Sequence, residues 1–194
     1  MTSVKLRVWI EGAIVAALAI VLSMIPTTIG TSFTISLGMI PLSIYAIRRG
    51  LAAGLFSGLV WGLLHFVTGD VWFLSVSQVI IEYVIAFTFA GFAGIFTSRI
   101  QKNMHNGQKG TLSLMVGAVF IGTLARFFWH FVAGFIFWGK YALWGLGPVA
   151  FSLVANGISG LLTAVVTAIG VVLIYQVYPQ VFTAERLVTS SVSE

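Results

Sequence analysis

VAFSLVANGISGLLTAVVTAIGVVLIYQV, Val149 to Val177, carries no charged side chain. A transmembrane helix needs about 20 apolar residues and a barrel strand about 9–11. This stretch far exceeds the second length and shows no strict alternation, so it reads as a membrane helix long enough to tilt or to project beyond the bilayer. Leu112–Trp138, LSLMVGAVFIGTLARFFWHFVAGFIFW, has the same character. Further apolar runs cover Gln78–Phe96, Leu51–Val67 and Val8–Ile25, the last closed by Pro26. The run Ile35–Ile47 is shorter and contains Pro41, which predicts a helix that is short, kinked or shielded by neighbours. The fold class is therefore all-α integral membrane with six transmembrane helices. Strands are not expected, and no internal repeat is visible. Residues 1–194 read as one membrane domain with a loose C-terminal tail after about residue 180, where Ser190, Ser191 and Ser193 cluster.

Composition agrees. Of 194 residues, 59% are hydrophobic and 8% charged, against about 25% charged in soluble domains. There is too little ionic surface to coat a soluble core. The absence of cysteine excludes disulfides, thiolate catalysis and Cys-ligated metal. Lys5 and Arg7 ahead of an apolar run imitate a signal peptide, but the run continues to Ile25 and more spans follow, so it reads as a retained first helix.

The net charge of +5 reports orientation rather than nucleic-acid binding. Lys5 and Arg7 precede helix one, Arg48 and Arg49 separate two and three, Arg99, Lys102 and Lys109 separate four and five, and Arg186 follows six. In a six-helix topology all of these fall on one side, with only Lys140 opposite. That asymmetry predicts that both the N- and C-termini are cytoplasmic.

Ionisable residues within spans cost about 2.5–3.5 kcal/mol each at mid-helix, so each asks for a reason. Glu82 lies five residues past Ser77, roughly 7–8 Å inside the outer end of its helix, with Gln78 one turn above on the same face. It reads either as a structural hydrogen bond between helices or as the counter-charge for a cationic ligand. Glu11 sits near the cytoplasmic end of helix one, where it reaches headgroups. On helix five, Arg126, His130, Gly134 and Trp138 recur in steps of four and share one face. Gly134 leaves a gap between two rings into which a flat molecule fits. Arg126 lies deeper and reads as structural, satisfying buried carbonyls or a carboxylate. On helix six, Asn156 precedes Gly160 by one turn; its amide either reads the edge of a heterocycle or joins helices. Trp72, Phe73, Tyr141 and Trp144 enrich the outer loops, as interface belts also do. An acidic group among indole rings in the outer half of the bundle suits a small aromatic cation.

The segment His130–Gly160, HFVAGFIFWGKYALWGLGPVAFSLVANGISG, together with SQVIIEY at Ser77–Tyr83 and IPLSIYAIRRG at Ile40–Gly50, resembles the thiamine-binding substrate subunits (S components) of energy-coupling-factor (ECF) vitamin transporters. The likeness runs from the start of helix one to Pro179. It implies a six-helix bundle in a bacterial plasma membrane, with one thiamine site near the outer surface closed by the loop between helices one and two. It implies that Glu82 hydrogen-bonds the aminopyrimidine, that Trp138 and His130 stack, and that Asn156, Tyr83 and Gly134 also belong to the site. Phe151 and Trp72 stand where the resemblance leads one to expect tyrosines, which removes a hydroxyl at Phe151. Phe33 is the aromatic nearest the expected lid tryptophan. The implied partners are thiamine, a transmembrane coupling protein docked through Ala13 and Ala17 (with Gly12 and Ala16 alongside), and two ATPase subunits. No cofactor or metal is implied for this chain, and ATP is used only by the partners.

Two rivals remain at this level. One is a proton-coupled secondary carrier for a small aromatic cation, with Glu82 exchanging proton for substrate; the paired repeats and broken helices usual in such carriers are missing. The other is an intramembrane serine protease suggested by Gly157-Ile158-Ser159-Gly160. A serine nucleophile needs a base, and His65, His105 and His130 all precede Ser159, whereas the histidine follows the serine in such proteases. No G-x-x-x-x-G-K-[ST] phosphate loop occurs, so the chain is not read as an enzyme.

Overall fold

A computed structural model describes residues 3–30 and 32–184. Five helices in it are long and apolar enough to cross a membrane. These are α1 (Ser3–Ser23), α3 (Leu51–Thr68), α4 (Val76–His105), α5 (Thr111–Phe137) and α6 (Pro148–Val177). The sixth expected span, α2 (Met39–Arg49), has 11 residues. Pro41 falls in its first turn, where a missing N–H costs little, so the proline shortens the helix rather than kinking it. Met39, Leu42, Ala46 and Ile47 are fully buried, so α2 is shielded by its neighbours.

The residues expected to begin this helix instead return from a small hairpin. Thr28–Ile29 (β1) and Phe33–Thr34 (β2) pair antiparallel, a strand pair the apolar runs did not foretell. The strap is pinned to α6, because the Thr34 N–H donates to Ser159 Oγ (3.1 Å) and the Ser36 N–H to Thr163 Oγ1 (3.1 Å).

α4 is a chain of segments rather than one regular helix. It widens into a π-type turn over Ile80–Ile85 and tightens to 3₁₀ over Ala90–Gly94. Gly54, Gly58 and Gly62 on α3 face this irregular backbone. A methyl on Gly54 would stand 2.7 Å from the Gly91 carbonyl oxygen, and methyls on Gly58 and Gly62 would overlap the carbonyls of Phe87 and Tyr83. Glycine at each step lets the two backbones touch, as small residues do between membrane helices.

Two apolar cores hold the bundle. One packs Ala16, Ala19 and Ile20 of α1 against Trp61, Tyr83 and Phe87; the other gathers Ile47, Ile100, Met115, Val119 and Val171 around Phe182. Phe182 is fully buried in a 3₁₀ turn, Pro179–Phe182, so the chain stays packed beyond the point where a loose tail was expected. Residues 185–194, with Arg186, Ser190, Ser191 and Ser193, lie outside the described residues. At this end Glu11 does not merely reach towards headgroups. It holds Arg48 (3.1 Å) and Arg49 (2.6 Å), tying the first half of α1 to the end of α2.

Candidate functional site

At the opposite end of the bundle a cavity of about 350 Å³ opens between α4, α5, α6 and the strap, within the range of small-molecule sites. Glu82, His130, Gly134, Trp138, Phe151 and Asn156 line it. Six of the residues singled out in the sequence, from three helices, are thereby brought to one cavity. Ser32 of the strap and Tyr141, Leu143, Ser152 and Ala155 complete the wall.

Glu82 is held from two sides. Trp138 Nε1–H donates to its Oε1 (2.7 Å), and Gln78 Nε2 donates to Oε2. Gln78 is itself fully buried and fixed, since its Nε2 also donates to Trp72 O (3.0 Å) while its Oε1 accepts from the Leu74 N–H (3.0 Å). The carboxylate thus reaches the cavity as an oriented acceptor on a helix that widens at that turn. π-Bulges often mark functional positions in this way.

Gly134 does more than leave a slot. A methyl there would overlap Ser152 Oγ and stand 3.1 Å from Asn156 Nδ2, so the glycine lets α5 approach α6. Both hydrogen bonds of Asn156 use Nδ2, on Ser152 O (3.1 Å) and Oγ (3.2 Å), which leaves its carbonyl oxygen uncommitted. Buried His130 Nε2 has no hydrogen-bond partner among the described residues.

Three expected wall residues stand outside the wall. Tyr83 lies on the other side of α4, packed against His65 and Phe87, and its hydroxyl accepts the Trp72 N–H (3.0 Å). Trp72 is 71% exposed and meets Trp138 edge-on at 6.4 Å. Phe33 follows the lining Ser32 and stacks on Trp144 (5.7 Å), which in turn meets Phe151 (5.4 Å). Each of the three adjoins a lining residue, Tyr83 beside Glu82, Trp72 against Trp138 and Phe33 beside Ser32. Among the described residues Arg126 has no carboxylate partner. Its Nη1 donates to Ser36 Oγ (2.7 Å), and its guanidinium lies over the rings of Phe87 (4.1 Å) and Trp61 (4.7 Å).

Sequence reasoning missed Ser32 and the glycine ladder of α3. The steps of four from Gly54 to Gly62 were a legible signal for the ladder; nothing in the sequence marked Ser32. Ala13 and Ala17 are exposed on the outer face of α1, whereas Gly12 and Ala16 are buried against the bundle and do not share that face.

The family described as Thiamine transporter protein (Thia_YuaJ) matches residues 9–183. The chain belongs to this family. Thiamine transporter ThiT of Lacticaseibacillus paracasei is 39% identical over 93% of this chain and 92% of its own length. Thiamine transporter ThiT of Bacillus subtilis is 30% identical over 91% and 94%. The solved structure of ThiT from Listeria monocytogenes superposes with a TM-score of 0.89 at 48% identity, covering 92% of this chain and 98% of that one. Members of the thiamine transporter family are transporters and not enzymes, and this chain is accordingly a multi-pass protein of a bacterial cell membrane.

Proposed function

We propose that this protein captures thiamine in the cavity at Glu82 and is the substrate-binding subunit of an ATP-driven ECF uptake transporter. The observation that carries the reading is the geometry around Glu82. A carboxylate fixed by an indole N–H and a buried glutamine faces a cavity with aromatic walls. Thiamine offers complementary chemistry, with an aminopyrimidine to donate to the carboxylate and a cationic thiazolium for the rings of Trp138, Tyr141 and Phe151. His130 Nε2 and the Asn156 carbonyl remain for the ligand's other polar edges. The family match supports thiamine as the molecule carried.

In the proposed orientation both termini are cytoplasmic, α2 counts as a sixth, short membrane helix, and the cavity opens outwards. The cation asymmetry supports this. Ala13 and Ala17 on the exposed face of α1 suit close docking of a transmembrane coupling protein. Two ATPase subunits would supply the hydrolysis for which this chain has no phosphate loop.

Isothermal titration of the purified protein tests the reading. Thiamine binds stoichiometrically, whereas choline, which has the charge without the aromatic rings, does not compete. Absence of thiamine binding by folded protein would reject it.

A further inference from the structure

Beneath the Glu82 cavity lies a second chamber of about 300 Å³, which shares Ser32, His130 and Asn156 with it. Arg126 forms part of its lining. The residue is 6% exposed, and a guanidinium keeps its charge. Its five N–H groups are poorly used. One is taken by Ser36 Oγ at 2.7 Å, and buried Nε has no acceptor. Ring faces of Trp61, Phe87 and Phe127 surround it but accept no conventional hydrogen bond. Among the described residues, ion pairs within 4.0 Å join Glu11 to Arg48 and Arg49 and do not involve Arg126. Buried charges are ordinarily paired, because an isolated one is costly.

Four of the hydroxyls that line this chamber divide into two kinds. Those of Ser23 and Thr27 spend their hydrogens on the carbonyls of Ala19 and Ile35. Those of Ser36 and Ser159 act as acceptors, from Arg126 and from the Thr34 N–H, so each retains a hydrogen to donate. A buried cation with spare N–H groups and two hydroxyls with spare hydrogens make a set of donors. Asp70 also lines the chamber, but it is exposed and makes no ion pair with the guanidinium, so it does not discharge Arg126.

We propose that the chamber beneath the Glu82 cavity is a binding site for a small inorganic monovalent anion, of the size of chloride, held by Arg126, Ser36 and Ser159. The bound anion neutralises a fixed positive charge that would otherwise oppose a cationic ligand in the cavity above. This second effect rests on the proposed function; the site itself does not.

Two measurements separate the site from the coupling. Ligand-free protein is melted in sodium chloride, sodium bromide and sodium gluconate at equal ionic strength. Chloride and bromide raise Tm by about 2–4 °C over gluconate, as a ligand of the native state does. Crystals grown in bromide give an anomalous peak within hydrogen-bond distance of Arg126. Asp70→Asn keeps or enlarges the shift, because it removes a competing negative charge, whereas Arg126→Gln abolishes it. Equal Tm in all three salts with no bromide peak at Arg126 overturns the site, and wild-type protein alone suffices for that outcome. Thiamine titrated in chloride and in gluconate then reads the coupling. At least threefold tighter binding in chloride is expected, and equal affinity overturns the coupling. Failure of thiamine to bind in either salt would strike the proposed function and leave the Tm and bromide results standing.

Discussion

Replacing Glu82 by glutamine changes one atom and leaves the shape of the side chain intact, so its effect follows from the hydrogen-bond pattern. The carboxylate accepts from Trp138 Nε1–H on one oxygen and from Gln78 Nε2 on the other. A glutamine offers one acceptor oxygen and an NH₂, so one of these two donors would face another donor. Gln78 cannot relieve this by turning over its amide, because its Oε1 holds the Leu74 N–H and its Nε2 holds Trp72 O. One charge-assisted hydrogen bond is lost, of the order of 1.5–3 kcal/mol, together with the counter-charge for the ligand. Thiamine affinity in Glu82→Gln is therefore expected to fall at least tenfold, about 1.4 kcal/mol. The assay is isothermal titration of wild type and variant, with the thermal midpoint of each as the control for folding. An affinity within twofold of wild type in a well-folded variant would mean that the Glu82 charge takes no part in binding.

Gly62→Ala would force α3 and α4 apart where Tyr83 O meets the glycine, with an overpacking cost of about 1–3 kcal/mol; a lower thermal midpoint together with weakened thiamine titration is expected, and an unchanged midpoint would contradict the glycine ladder. Exchanging both Ala13 and Ala17 for leucine should abolish thiamine uptake in cells while purified protein binds thiamine normally, because both side chains lie on the outer face of α1; normal uptake would remove the docking proposal. Thiamine should bind at least as tightly as its diphosphate in competition against labelled thiamine, because Glu82 makes the cavity negative and Lys140 is not among its lining residues. Clearly tighter binding of the diphosphate would place the ligand's tail in the Arg126 chamber instead.

The long helices were legible because each contains a long, mainly apolar run bounded by charge, proline or glycine, although α4 continues past its run through Arg99 and Lys102 to His105. α2 was legible only in part. Its apolar run merges with that of the strap, and the hairpin that separates them depends on hydrogen bonds from Thr34 and Ser36 to α6, residues remote in sequence. Glu82, His130 and Trp138 stood out because polar and indole groups in spans are exceptional and fall on defined helical faces. Ser32 did not, since a serine in a loop is unremarkable until the strap folds over the bundle. Trp72, Tyr83 and Phe33 show the opposite limit. Resemblance assigns them to the site, and in the structure Glu82 lines the cavity while Tyr83, the next residue and about 100° further round the helix, packs against His65. Arg126 is deep, as its place on the helix predicts, yet its partner is a hydroxyl on the strap and not a carboxylate.

That the Glu82 cavity is the thiamine site is tested most directly by a crystal structure of the protein grown with thiamine. Density for the vitamin is expected in that cavity, with a nitrogen of the aminopyrimidine within about 3.2 Å of a Glu82 oxygen and a ring of the ligand against Trp138. Thiamine density elsewhere in the molecule, with the Glu82–Trp138 hydrogen bond undisturbed and the cavity holding only water, would contradict it.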